Sequence, residues 1–191
     1  MVDANAPTDA ALITAALTGD PQAFRALMER HQQAIFGYLY RLVFRDPDTA
    51  RDLTQSVFLK TYEHLASVDL SRPFTPWLYR IAHNEAANWM RTRQRHPESS
   101  ADPEQWARMA DPAGDSPEAA HAAGQERQLL LLAMDTLPQR YRDVLTLFYF
   151  EERSYEEIAQ ILAVRLGTVG TLIHRAKEQL RVQLEGKIGA E

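Results

Sequence analysis

The chain has 191 residues, 45% hydrophobic and 25% charged, with no cysteine and a formal net charge of −5. These values allow one large folded domain or two small ones, and they exclude disulfides, thiolate metal sites and cysteine nucleophiles. No window nears the roughly 20 apolar residues needed to cross a bilayer, and Met1 to Ala11 has no basic residue and no apolar core, so no membrane insertion, no secretory leader and a cytoplasmic location are expected.

Helical periodicity dominates, and glycine and proline fall mostly at breaks. A first helix is predicted from Asp9 to Leu17, stopped by Gly19-Asp20-Pro21. A second runs from Pro21 to about Phe44, with proline in the first turn, where its missing N–H costs nothing. Asp46-Pro47-Asp48 opens a third, reaching about Leu65, and after a loop over Ala66 to Pro73 a fourth extends from about Thr75 to Arg95. From Pro97 to Gly124 the prolines at 97, 103, 112 and 117 and the sparse apolar residues describe a flexible acidic linker. Trp106 and Met109 interrupt it as a local turn or an anchor for a partner. Beyond it, helices are predicted near 126–135, 138–150, 155–163 and 168–185.

Charge is unevenly spread. Residues 20–97 carry 11 Lys/Arg against 8 Asp/Glu, and residues 98–128 carry 2 against 7. The acidity therefore sits in the linker, although neither flanking block is basic enough to grip duplex DNA by counterion release alone.

Two segments are chemically dense. In the third helix Leu53, Val57, Phe58 and Leu65 form an apolar stripe, with Asp52, Gln55, Ser56, Lys60 and Tyr62 off it. In the fourth, Arg80, Asn84, Asn88, Arg91 and Arg95 recur every three or four residues. Amides hydrogen-bond base edges and guanidiniums hold phosphates; periodicity alone leaves an ordinary solvated face equally open. Trp77 and Tyr79 suit stacking on unpaired bases, while core packing is the competing reading for Trp77 and Trp89.

The C-terminal block reads as a helix-turn-helix. Ser154 and Glu157 have capping-box spacing, a turn falls around Ala163 to Gly167, and the next helix places Val169, Leu172, Ile173, Ala176, Leu180 and Leu184 on one side. Thr171, His174, Arg175 and Glu178 lie opposite, a polar face suited to the major groove.

The runs Asp52-Leu53-Thr54-Gln55-Ser56-Val57-Phe58-Leu59-Lys60-Thr61-Tyr62 and Arg72-Pro73-Phe74-Thr75-Pro76-Trp77-Leu78-Tyr79-Arg80-Ile81-Ala82-His83-Asn84 resemble region 2 of sigma-70 family factors in their compact extracytoplasmic-function (ECF) form. Leu137-Pro138-Gln139-Arg140-Tyr141-Arg142-Asp143-Val144, Tyr155-Glu156-Glu157-Ile158-Ala159 and Gly167-Thr168-Val169 resemble region 4. The resemblance implies an all-α protein with a region 2 domain over 9–97, the linker over 98–128 and a region 4 domain over 129–187. It implies a non-enzymatic transcription initiation factor without metal or cofactor. Its partners would be core RNA polymerase, through the largest and second-largest subunits, promoter DNA and an anti-sigma factor.

Site residues follow from the same resemblance. Polymerase contacts would come from Asp52, Leu53, Gln55, Ser56, Phe58, Leu59 and Tyr62. The loop residues Ala66, Ser67, Val68 and Asp69 would capture a flipped base of the −10 element, with Trp77, Arg80, Asn84, Asn88 and Arg91 along the non-template strand. Arg165, Thr168, Gly170, Thr171, His174, Arg175 and Lys177 would read the −35 element. Two departures stand out. The family usually has Glu where this chain has Ser56, on the expected docking face, which implies weaker or differently compensated docking. Many relatives carry Lys-Ser-Arg where this chain has Gly170-Thr171-Leu172, which implies fewer phosphate contacts or a different −35 preference.

Two other classes fit the sequence less well. A stand-alone helix-turn-helix regulator has no need of the first block. For an enzyme, the six histidines lie far apart, and no H-E-x-x-H or glycine-rich phosphate loop occurs.

Overall fold

The computed structural model describes residues 6–95 and 129–188. The acidic linker with Trp106 and Met109, and the first residues of the helix expected from 126, lie outside the described residues. Every regular element among the described residues is helical, and they fall into two compact units, the first built on residues up to Arg95 and the second on the C-terminal helices. No described helix is long and apolar enough to cross a membrane.

The first unit holds four helices, and the starts of the first three are set by short polar caps. Thr8 accepts the Ala11 N–H at the head of α1 (Asp9–Leu17). Asp20 caps α2 (Pro21–Leu42) by accepting the Gln22 N–H, and Asp46 caps α3 (Pro47–Glu63) by accepting those of Asp48 and Thr49. Each such cap satisfies N–H groups that have no partner within the helix.

Helix α2 stops two residues before the expected Phe44, because Phe44 and Arg45 turn into the left-handed region at φ 60° and 63°. Helix α3 ends before Leu65, where the chain tightens into a 3-10 turn, Leu65–Ser67. After the loop, α4 spans Phe74–Arg95. The core between these helices holds Leu27, Ile35, Tyr38, Leu39, Val57, Phe58, Leu78, Tyr79, Ala82 and Ala86, with the Tyr38 and Tyr79 rings 5.1 Å apart.

The C-terminal helices are α5 (129–135), α6 (Gln139–Leu145), α7 (Tyr155–Leu162) and α8 (Leu166–Ile188). The single helix expected over 138–150 is α only to Leu145. Residues Thr146–Phe150 form a π turn, closed by the Glu151 N–H donating to the Thr146 carbonyl at 3.1 Å. Every residue from Tyr141 to Leu147 is buried, Arg142, Asp143 and Thr146 included. Arg142 Nη1 donates to the Asp135 carbonyl at 3.3 Å. Burial pushes the Asp143 carboxyl up to about 7, against the opposing pull of Arg142 and a hydrogen bond from Gln139.

The capping box of α7 is formed in both directions. The Ser154 N–H donates to Glu157 Oε2 at 2.9 Å, and the Glu157 N–H donates to Ser154 Oγ at 3.2 Å. The turn into α8 passes through Ala163 at φ 52°, a conformation that costs an alanine and suits glycine. Ile158, Val169, Ile173 and Ala176 are buried in this unit.

Candidate nucleic-acid interface

On α3 the expected polymerase-facing residues divide by burial. Asp52, Gln55, Leu59 and Tyr62 are exposed along one stripe, with Leu59 at 61% and Tyr62 at 62%, and the Tyr62 ring rests edge-on against Phe24 at 5.0 Å. Leu53 is half-buried beside them. Phe58 is not part of this surface. At 6% exposure it belongs to the core, because its phase on the helix follows Val57 inward.

Ser56 is half-buried, and its hydroxyl donates to Glu85 Oε2 of α4 at 2.7 Å. Lys60, one turn on, donates to Glu85 Oε1 at 2.5 Å. Burial alone raises the pKa of Glu85, but these two donors and Asn88 outweigh it and hold the carboxyl below its usual range. Glu85, buried between α3 and α4, is the residue that the sequence reading missed. Its signal was present: Glu85 lies between Ala82 and Ala86 at the interior phase of α4, where an acid needs partners.

On α4, Arg80, Asn84, Asn88 and Arg91 are exposed together on one face. Asn88 is already engaged, since its Oδ1 accepts from Arg91 Nη2. Trp77 is half-buried, stacked on Phe74 with ring centroids 5.6 Å apart, so one edge packs while the rest stays reachable. Trp89 is half-buried as well, beneath the Arg93 guanidinium at 5.2 Å. Tyr79 is core. His83 turns inward, 3.4 Å from the Tyr38 hydroxyl, and burial pushes its imidazole down to about 4.

The loop leading into α4 is ordered by its own side chains. Asp69 accepts from both the N–H and the hydroxyl of Ser71, at 3.0 and 2.6 Å, and pairs with Arg72 at 3.2 Å. The Ser71 bonds lower the Asp69 pKa. Ala66, Ser67 and Asp69 are exposed, and Val68 is half-buried. A cleft of about 560 Å³ opens beside this loop, lined by Asp9, Ile13, Arg30, Val68, Leu70 and Phe74.

On α8 and the turn before it, Arg165, Thr168, Thr171, His174 and Arg175 are exposed. Gly170 is half-buried because the Tyr155 ring lies over it; a Cβ there would meet Tyr155 Cε2 at 3.6 Å, an ordinary contact. The Thr171 hydroxyl bonds back to the Gly167 carbonyl at 3.3 Å. Lys177 stands apart from the group. Its ammonium sits 5.3 Å from the Tyr149 ring centre and 6.0 Å from that of Phe148, and its hydrogen bond with Tyr149 raises its pKa. The π turn is what presents these two aromatics, and nothing in the helical periodicity foretold it.

Comparison with known proteins places both units. Family models for sigma-70 region 2 and sigma-70 region 4 match residues 27–96 and 127–180. The chain is 34% identical to the ECF RNA polymerase sigma factor SigW of Bacillus subtilis, over 87% of this chain and 91% of that one. It is also 34% identical to the RNA polymerase sigma-H factor of Pseudomonas aeruginosa, over 93% and 94%. In fold it resembles the sigma factor RpoE of Bartonella quintana, solved with the anti-sigma factor NepR, at a TM-score of 0.67 and 21% identity over 86% of this chain and 98% of that one. With both regions matched and relatives aligned along nearly their whole length, the chain belongs to the sigma-70 family, as an RNA polymerase sigma factor of the ECF group.

Proposed function

We propose that the first unit docks on core polymerase through the outer stripe of α3 and reads the melted −10 element with α4 and the loop before it, while α8 reads the −35 element. The observation that carries this is the segregation of faces. Asp52, Gln55, Leu59 and Tyr62 share one exposed stripe of α3, and Arg80, Asn84, Asn88 and Arg91 share one exposed face of α4. Exposed Leu and Tyr among polar neighbours suit a protein partner; amides between guanidiniums suit a single strand.

In this reading the ordered loop at Ala66, Ser67, Val68 and Asp69, beside the cleft, receives a base flipped from the −10 element. Unstacking costs a few kcal/mol and needs such a receptacle. On α8, Thr168, Thr171, His174 and Arg175 face the major groove with Arg165 on the backbone. Lys177 is held by Tyr149 and serves at the rim. The domains would span 9–97 and 129–187 with the acidic segment 98–128 between them. The protein works in the cytoplasm as an adaptor without catalysis of its own, and an anti-sigma factor covering both reading faces restrains it.

The test uses a promoter recovered from a randomised duplex library by the holoenzyme. The chain alone is expected to bind this duplex weakly, and to direct initiation from it only with core polymerase. Leu59→Arg with Tyr62→Ala should abolish co-purification with core, whereas Asn84→Ala with Asn88→Ala should spare co-purification and reduce promoter melting. Tight duplex binding by the free chain, with no association with core, would overturn the reading.

A further inference from the structure

Asp9 opens α1, and both oxygens of its carboxylate are held by neighbouring residues of α2. Arg30 Nη1 donates to Oδ1 at 2.6 Å, and His31 Nε2 donates to Oδ2 at 3.0 Å. The same guanidinium donates through Nη2 to the Pro7 carbonyl at 2.6 Å. With side chains 22% and 35% exposed, the Asp9–Arg30 pair contributes little to stability, and Leu12 and Ile13 already bury α1 against the core. What the latch does fix is the position of the first turn of α1.

That turn stands on the cleft beside the −10 loop. Three stretches of chain line the cleft: the start of α1, Arg30 of α2, and the loop with the head of α4. Asp9 joins the first to the second directly. It reaches the third through His31, whose ring meets the Phe74 ring edge-on at 5.5 Å, while Phe74 stacks on Trp77. One carboxylate therefore bears on every stretch that lines the cleft. The lining is apolar at Ile13, Leu70 and Phe74 and cationic at Arg30 and Arg72, which suits a base carried on its phosphates.

We infer that Asp9 is a positioning residue for capture of the flipped −10 base: it fixes the start of α1 as a wall of the cleft and, through His31, sets Phe74 and with it Trp77. This rests on the assignment of the cleft to −10 reading. Docking on polymerase through α3 is independent of it.

The experiment uses full-length protein, core polymerase and pre-melted bubbles of the selected promoter. One bubble is intact, and each of the others has a single abasic site in the −10 non-template strand. For wild type the abasic site of largest effect is expected to weaken binding about tenfold, the scale of one stacked base, and it marks the captured position. Asp9→Asn keeps the shape and loses the charge. It should weaken binding of the intact bubble about fivefold, the scale of one hydrogen bond, and leave binding of the bubble abasic at that position unchanged. Affinity for core should stay at the wild-type value. Should Asp9→Asn fail to fold, Arg30→Lys replaces it in the same cycle; it keeps the charge and lacks the planar fork that spans Asp9 and the Pro7 carbonyl.

If the substitution costs the same factor on intact and abasic bubbles, base capture stands and the role given to Asp9 is overturned. An intact bubble bound as tightly as by wild type, or more tightly, overturns it too. If no abasic site costs wild type any affinity, the −10 assignment of the cleft fails and takes this inference with it.

Discussion

Ser56→Glu should destabilise this protein. Ser56 Oγ lies 2.7 Å from Glu85 Oε2, and the Glu85 side chain is only 10% exposed. A glutamate at 56 brings a second carboxylate to within about 4 Å, where like charges at an effective dielectric of 20 repel by about 4 kcal/mol. Lys60, already 2.5 Å from Glu85, shares itself between both acids and offsets part of this. Position 56 is half-buried, so the new side chain relaxes toward solvent. A net loss of about 2 kcal/mol remains. With Glu85→Ala in place the repulsion has no source, and the cost of Ser56→Glu should fall to near zero, a coupling of about 2 kcal/mol. Urea unfolding followed by tryptophan fluorescence measures this, with Trp106→Phe as background so that Trp77 and Trp89 report the first unit. A shift of roughly 1 M in midpoint is expected at typical slopes. Equal costs of Ser56→Glu with and without Glu85 would refute the reasoning, as would a single variant as stable as wild type.

Other outcomes follow from the same geometry. Gly170→Ala should stabilise α8 by up to about 1 kcal/mol, since its Cβ meets Tyr155 at ordinary contact distance; thermal unfolding reads it. Gly170→Lys should steepen the salt dependence of −35 duplex binding by about one counterion, and an unchanged slope would remove position 170 from the DNA face. Ala163→Gly, at φ 52°, should raise stability by about 1 kcal/mol through relief of the left-handed turn, visible as slower amide exchange in α7 and α8.

The two units should respond oppositely to acid. His83, lowered to about 4 from an ordinary 6.5, stays neutral when folded, so the first unit loses stability as pH falls from 6.5 toward 4. Asp143, raised from 3.8 to about 7, holds its proton when folded, so its contribution to the second unit weakens as pH rises from about 4 to 7. Amide exchange across pH 5 to 7.5 separates the two. Asp143→Asn should flatten the second slope, and His83→Phe the first.

Helix starts were legible because they are local chemistry. Asp20-Pro21, Asp46-Pro47 and the Ser154/Glu157 pair each satisfy their own backbone within a few residues. The face of α4 was legible for the same reason, because Arg80, Asn84, Asn88 and Arg91 repeat at helical spacing. What escaped depends on partners distant in sequence. Nothing near Ser56 says that a carboxylate 29 residues later will claim its hydroxyl. Phe58 was placed on that face by family pattern, while burial places it beneath. The end of α2 was misjudged because Phe44 and Arg45, neither a residue type that favours positive φ, take the left-handed turn.

The π turn at Thr146–Phe150 also bears on how this segment tolerates changes of length. It contains one residue more than an α turn would, so a deletion inside it lets the helix close into regular α with both flanks in place. The same deletion in α6 would rotate everything beyond it by about 100° and pull the Ser154–Glu157 cap off register. The segment thus carries its spare residue at one address, and a deletion scan through 139–154 should find a single permissive window there, at the expense of the contacts that Phe148 and Tyr149 make with Lys177.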